Sequence, residues 1–322
     1  MRNRWLIALA AIGLHISIGS VYAWSVLTRP IMVDTGFTLS QTTWTFSLAI
    51  LMLGLSAGFL GSFAEKIGPK KSGLLAMLFW VAGLFGTAYA LSIHSLTLLY
   101  LFYGIIGGIG LGIGYITPVS TLVKYFPNRP GFATGLAIMG FGFASLIAGP
   151  LMQYLVAHVG LVNNFIILGI TYLIVMSASA LYLKAPTPKE PIRSNQDKST
   201  MYVHNHGMLA NDAMKTWQFS ALWWVFFVNI TCGIGLLSLA SPMAQETIGM
   251  TPAAAASLVG IIGIFNGGGR IAWSTISDFL GRAQTYILFF IMEIIAFYLL
   301  SQTNSALTFQ ILILLIITCY GG

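Results

Sequence analysis

Charge is what this 322-residue sequence has least of: 7% of its residues are Asp, Glu, Lys or Arg, against roughly 25% in an ordinary soluble domain. A water-facing surface cannot be built from so few, whereas a lipid-facing surface excludes them because each costs a few kcal/mol at mid-bilayer. The composition therefore excludes a soluble protein. Cysteine is nearly absent as well; Cys232 and Cys319 both lie in apolar runs, so no disulfide is expected. No Walker-type phosphate loop occurs, which removes the evident way to use ATP. His204 and His206 are too few for a structural zinc, which usually takes four ligands, and no metal or cofactor is implied. The period-two alternation of a membrane barrel is also missing. What is abundant is hydrophobic residues, at 57%, with 35 Gly and 13% aromatics, the profile of a polytopic bundle of closely packed helices.

Apolar runs of about 20 residues, enough to span about 30 Å of hydrocarbon as helix, occur ten times: 5–26, 42–63, 72–91, 96–123, 131–156, 165–183, 219–240, 253–276, 285–300 and from 307 to the end. The first follows Arg2 and Arg4 like a secretory signal, but it is too long for a signal core and more runs follow. Backbone groups in lipid must be satisfied internally, so each run is a helix. The net charge of +7 would raise nucleic acid as a partner in a soluble chain; here the cations follow loop position, and no nucleic-acid partner is expected. Arg2, Arg4, Lys66, Lys70, Lys71, Lys124, Arg129, Lys184, Lys189, Arg193, Lys198, Lys215 and Arg282 all fall on one side, Arg29 alone on the other, and Arg270 within a run. The positive-inside rule then predicts a cytoplasmic N-terminus for an integral protein of the plasma or inner membrane.

The segment 184–217, with Pro186, Pro188 and Pro191 and a concentration of charge, reads as a solvated cytoplasmic linker between a six-helix half, 1–183, and a second half, 218–322, of about four helices. The tenth run has only sixteen residues, Leu307 to Gly322, about 24 Å at 1.5 Å per residue. A carboxylate terminus there is costly, so the sequence is expected to be truncated, with ten of twelve helices present. Residues 36–71 laid on 249–284, a shift of 213, pair Gly36 with Gly249, Thr38 with Thr251, Gly54 with Gly267, Gly68 with Gly281, and Glu65 with Asp278. Two parallel halves with substrate between them is a recurrent transporter plan.

GSFAEKIGPKK at 61–71 resembles the loop signature of the major facilitator superfamily, with Glu65 at the acid, Lys66 at the base and Gly68 at the turn. STISDFLGR at 274–282 resembles its second-half copy. Within that superfamily, GSVYAWSV at 19–26, KYFPNRPGFATG at 124–135 and FNGGGRIAWSTISDFLGR at 265–282 together resemble the oxalate:formate antiporter family. Glu65 in place of Asp, Pro69 in place of Arg, and Ser274 opposite Gly61 depart from the pattern. The resemblance implies an all-α polytopic membrane protein with the major facilitator fold of two pseudo-symmetric six-helix halves.

Arg270 is the informative residue. It lies eight positions, about 12 Å, inward of Asp278, beyond i,i+4 reach, so it needs a cavity or a partner, and its planar fork suits a carboxylate. Snorkelling to the interface or a structural pair is the competing account. Gly267, Gly268 and Gly269 before it open room beside it, and the resemblance implies that an arginine at this place is the substrate's cationic ligand; the family's second cation, a lysine, comes from span eleven. Tyr22 and Trp24 match the family's first-span motif, and Tyr320 falls where it has an aromatic on span ten; for Tyr22 and Trp24 an interfacial belt competes with a cavity wall, for Tyr320 simple packing.

His15 and Glu293 are the other mid-span ionisable residues, each either a coupling group or a satisfied packing residue. Asn266 and Asn229 suit interhelical bonds. Glu65, Lys66, Gly68 and Lys70, with Asp278, Gly281 and Arg282, read as latches that pair in one conformation and release in the other. Gly104, Gly108 and Gly112, and Gly131 and Gly135, suit close helix contacts, and Gly149 with Pro150 a bend.

The expectation is a secondary transporter, not an enzyme: a monomer in the lipid bilayer that moves a small carboxylate anion of the oxalate, formate, pyruvate or lactate type by alternating access, as an antiporter. A proton-coupled monocarboxylate symporter is the alternative, and a transporter-like carboxylate sensor a more distant one.

Overall fold

The computed structural model describes residues 3–126, 130–186 and 210–322. Arg2, Arg129, Lys189, Arg193, Lys198, His204, His206 and the side chain of Asp278 lie outside the described residues. Ten long helices follow one another: α1 Arg4–Thr35, α2 Leu39–Ile67, α3 Pro69–Ser92, α4 Leu96–Tyr125, α5 Pro130–Val159, α6 Leu161–Tyr182, α7 Trp217–Glu246, α8 Pro252–Leu280, α9 Arg282–Gln302 and α10 Ala306–Gly321. A one-turn helix, Ala210–Ala213, precedes α7. No strand occurs among the described residues. The first nine long helices are long and apolar enough to cross a membrane, and α10 is shorter. Large apolar side chains such as Phe59, Leu307 and Ile294 stay exposed, as suits surfaces that face lipid rather than water.

Most helices overshoot the apolar runs because their ends are set by polar caps and glycines rather than by hydropathy. The largest difference is in α1, which continues past residue 26 to Thr35 and stops only where Gly36 turns left-handed (φ 76°) and its N–H closes on Met32. Midway, Ser20–Ala23 tighten into a 3₁₀ turn. Such a turn advances about 120° per residue instead of about 100°, and it redirects the side chains that follow.

The internal repeat is structural. Helices α2 and α8 are both 29 residues long and begin and end at the same shift of 213. Thr38 and Thr251 are their N-caps, each accepting from the N–H three residues on. Gly36 and Gly249 have φ of 76° and 73°, and Gly68 and Gly281 have φ of 82° and 94°, a region open to glycine at little cost. Each of the latter pair ends one helix and starts the next, so Pro69 and Arg282 open α3 and α9 at once.

Helices α1 to α6 pack as one group and α7 to α10 as another, and the main junction between them is α5 against α8. Small residues bring these backbones into contact. A Cβ on Gly142 would stand 3.0 Å from Gly267, one on Gly263 2.9 Å from the Gly142 carbonyl, and one on Gly149 3.0 Å from the Ala256 carbonyl. The seam runs from mid-helix to the end where α5 finishes and α8 begins, remote from the Lys-bearing loops after α2 and α4. On the other side Gly135 and Gly268 face open space, so Gly135 does not make the close helix contact its spacing suggests: it lies past the point where α5 and α8 part. Gly104, Gly108 and Gly112 do pack tightly, all against α2. Gly149 serves the seam.

Gly263→Ala should therefore lower the thermal midpoint of the detergent-solubilised protein, with a cost of about 1–3 kcal/mol from overpacking. Gly268→Ala, which meets nothing, should leave it unchanged; equal midpoints for the two variants would contradict the seam.

Candidate functional site: a donor-rich cluster between the halves

Arg270 sits on α8 just beyond the seam, toward its open side. Its Nε is buried without a hydrogen-bond partner among the described residues, and its Nη2 reaches Asn266 Oδ1 only at 3.5 Å, one turn back. Asn266 is fully buried and its Nδ2 also lacks a partner. The three glycines before Arg270 divide their work. A Cβ on Gly267 would meet the Phe143 ring of α5, one on Gly269 would meet Thr318 of α10, and one on Gly268 would meet nothing. Two of them draw neighbouring helices in, and one opens space.

From the other half, Tyr22 enters the same region. The 3₁₀ turn aims it at α10, where its hydroxyl bonds that of Tyr320 at 2.7 Å. Arg270 is close enough for its charge to act on both hydroxyls. Tyr22 is 7% exposed and Tyr320 8%, so neither belongs to a lipid-facing belt. Tyr320 is backed by Gly233 of α7, and Tyr22 stacks edge-on against Phe141 at 4.8 Å.

Trp24, two residues on, is directed elsewhere. It is fully buried against Tyr103 at 4.2 Å, in an aromatic group with Trp80 and Phe165. The structure brings Tyr22 and Tyr320 together with Arg270 and puts Trp24 in the core of the first half.

His15 is fully buried on α1. Its Nδ1 faces the carbonyl of Ala137 on α5 and its Nε2 the carbonyl of Tyr115 on α4 at 3.0 Å. A carbonyl only accepts, and a neutral imidazole has one N–H. Bonding both oxygens therefore requires a proton on each nitrogen. Tyr115 and Phe141 flank the ring, and Arg270 is again within electrostatic range. Tyr115 and Phe141 were not singled out by sequence; isolated aromatics in apolar helices carry no signal until the fold collects them.

Glu293 stands apart on α9. It is 3% exposed, neither carboxylate oxygen has a hydrogen-bond partner, and no cation lies within ion-pair distance among the described residues.

The loop motifs are at the basic end. Glu65 pairs with Lys124 at 3.2 Å, tying α2 to α4 within one half, while Lys66 and Lys70 are exposed. Arg282 donates to Ser277 Oγ across Gly281. At the far end Arg29 of α1 donates to Gln245 of α7 at 3.0 Å, a bridge between the halves that no local pattern announces.

The site is rich in donors and poor in acceptors. The guanidinium, the Asn266 amide and the outer hydroxyl of the tyrosine pair can all give a hydrogen bond, and no carboxylate pairs with Arg270 among the described residues. That set is suited to an anion.

Comparison with known proteins agrees with this geometry. The profile of the Major Facilitator Superfamily matches residues 7–322. The uncharacterized MFS-type transporter YhjX of Escherichia coli strain K12 is 28% identical over 322 residues, covering 100% of this chain and 78% of that protein. The oxalate:formate antiporter of Oxalobacter formigenes is 27% identical over 291 residues, covering 89% of this chain and 66% of the relative's length. Among solved structures, a bacterial homolog of the human lysosomal transporter Spinster, in an inward-facing and occupied conformation, superposes with a TM-score of 0.71 at 14% identity, covering 100% of this chain and 73% of that one. The chain belongs to the major facilitator superfamily and is an integral, multi-pass membrane transporter rather than an enzyme.

Proposed function

We propose that this transporter carries a small carboxylate anion by alternating access, with Arg270 as its charged ligand and exchange of one anion for another as its mode. The observation that carries the reading is the pair of unpartnered donors, Arg270 Nε and Asn266 Nδ2, beside the Tyr22 and Tyr320 hydroxyls. A carboxylate satisfies a planar guanidinium bidentately. It also neutralises a charge that is expensive within a membrane, so the loaded carrier crosses readily and the empty one reluctantly, which is the energetic basis of exchange. The similarity to an oxalate:formate antiporter supports the same substrate class.

The halves are then residues 1–183 and 218–322, joined by a cytoplasmic linker at 184–217, with the N-terminus inside a plasma or inner membrane as the cation bias favours. On that orientation the open side beyond the α5–α8 seam faces the cytoplasm. The Glu65–Lys124 pair, Arg282 with Ser277, and the elbows at Gly68 and Gly281 stiffen each half at that face, with Lys66, Lys70 and Asp278 at the same place, and the halves rock as bodies.

Proton-coupled symport is a second reading, favoured by the two carbonyls facing His15. A proton there can neutralise part of a cargo's charge in place of a counter-anion. Glu293, buried on α9 with neither oxygen partnered among the described residues, suits a neutral buried acid.

Two outcomes follow for the full-length protein in proteoliposomes. Arg270→Gln should abolish counterflow of labelled oxalate or formate, while Arg270→Lys, which keeps the charge but not the fork, should retain a reduced rate; unchanged uptake in Arg270→Gln would reject the site. If protons couple through His15, an inward proton gradient should accelerate uptake and His15→Gln should remove that acceleration. Anion exchange that ignores the gradient and survives His15→Gln would identify antiport.

A further inference from the structure

The Arg29–Gln245 bridge lies at the end of the seam remote from Arg270, where a cavity of about 640 Å³ opens among α1, α5, α6, α7 and α8. Its lining is mainly apolar, with Val26, Pro30, Val156 and Leu161 on its walls, and Arg29 is the cation among its lining residues. Arg29 is exposed to this space and belongs to α1, whereas Gln245 belongs to α7, so the bond of 3.0 Å spans the two halves. Gln245 is 8% exposed, and its Nε2 is anchored to Ser241 Oγ at 3.0 Å. That anchor fixes the amide with its oxygen toward the guanidinium.

We propose that Arg29 is an outer docking site for a carboxylate anion, and that docking unlatches the halves. The argument is one of competition. Gln245 offers the guanidinium one neutral amide oxygen, whereas a carboxylate offers two charged oxygens that match the planar fork bidentately and so compete for the Nη1 donor that Gln245 holds. An incoming anion therefore takes Arg29 from Gln245, and the bridge that holds α1 to α7 is released when cargo is present to pass. The same end carries Asp34 and Glu246; Asp34 lines the cavity and lies 3.6 Å from His94. These acids weaken the hold on an anion, so it is a place of transit rather than of rest, and the Arg270 site is where the anion resides. The inference rests on the carboxylate reading of the Arg270 site and adds a second, outer site to it.

Ser145 lies in the seam, 1% exposed with its hydroxyl unpartnered, and reports opening when replaced. The chain in proteoliposomes, with Cys232→Ala and Cys319→Ala as background and Ser145→Cys as reporter, is labelled with an impermeant maleimide on each face in turn, with and without oxalate or formate. Either anion should raise labelling from the Arg29 face at least fivefold. Gln245→Glu replaces the neutral acceptor by a permanent ion pair and should abolish the response; Gln245→Ala should give high labelling without any anion. Arg270→Gln should keep the response, because docking precedes the central site. An anion response that persists in Arg29→Gln and is lost in Arg270→Gln overturns the proposal and leaves the central site standing. Loss of counterflow in the parent chain overturns the carboxylate reading itself.

Discussion

A guanidinium whose Nε has no partner, held on a helix with apolar helices on its flanks, is the constraint to which the rest of the molecule answers. Among apolar helices such a charge is tolerated only beside a cavity or a counter-charge. The α8 backbone leaves open space at Gly268, where no neighbour reaches, and among the described residues the first half contributes hydroxyl and ring edges. On the function proposed above, the missing counter-charge is the cargo, and occupancy is tied to motion because a membrane accepts a closed carrier more readily when the charge inside it is matched.

The seam determines where that closure occurs. Backbone contact through Gly142, Gly263 and Gly267 lets α5 and α8 approach as side chains of ordinary size would forbid, and dispersion at that range replaces the hydrophobic drive that lipid removes. The contact is extensive yet uncharged, so it can part without stranding a polar group. Among the described residues, specific bonds that cross between the halves include the Tyr22–Tyr320 pair near the centre and the Arg29–Gln245 bridge at one end.

Much of this was legible before any coordinates. Hydropathy gives ten helices because lipid leaves the backbone no other option, and the shift of 213 gives the two-fold plan because Thr38, Thr251, Gly68 and Gly281 act through local backbone geometry. Arg270 was legible because a lone intramembrane cation needs a reason. The rest depends on direction. Tyr22 and Trp24 are two residues apart in one motif, so they leave the helix on opposite sides, and only the packing around α1 decides that one side meets α10 and the other Tyr103. The spacing of Gly135 likewise suggests a contact that the divergence of α5 and α8 removes. Partners distant in sequence, such as Glu65 with Lys124 or His15 with Ala137, exist only once the helices are packed.

The repeat has one more consequence. Helices α2 and α8 match in length, cap and terminal glycine, yet the residue that corresponds to Arg270 at the shift of 213 is Ala57. The frame is two-fold and the chemistry is one-sided. On the function proposed above, an anion gripped by Arg270 is a passenger of the second half, and the first half is the door that moves past it.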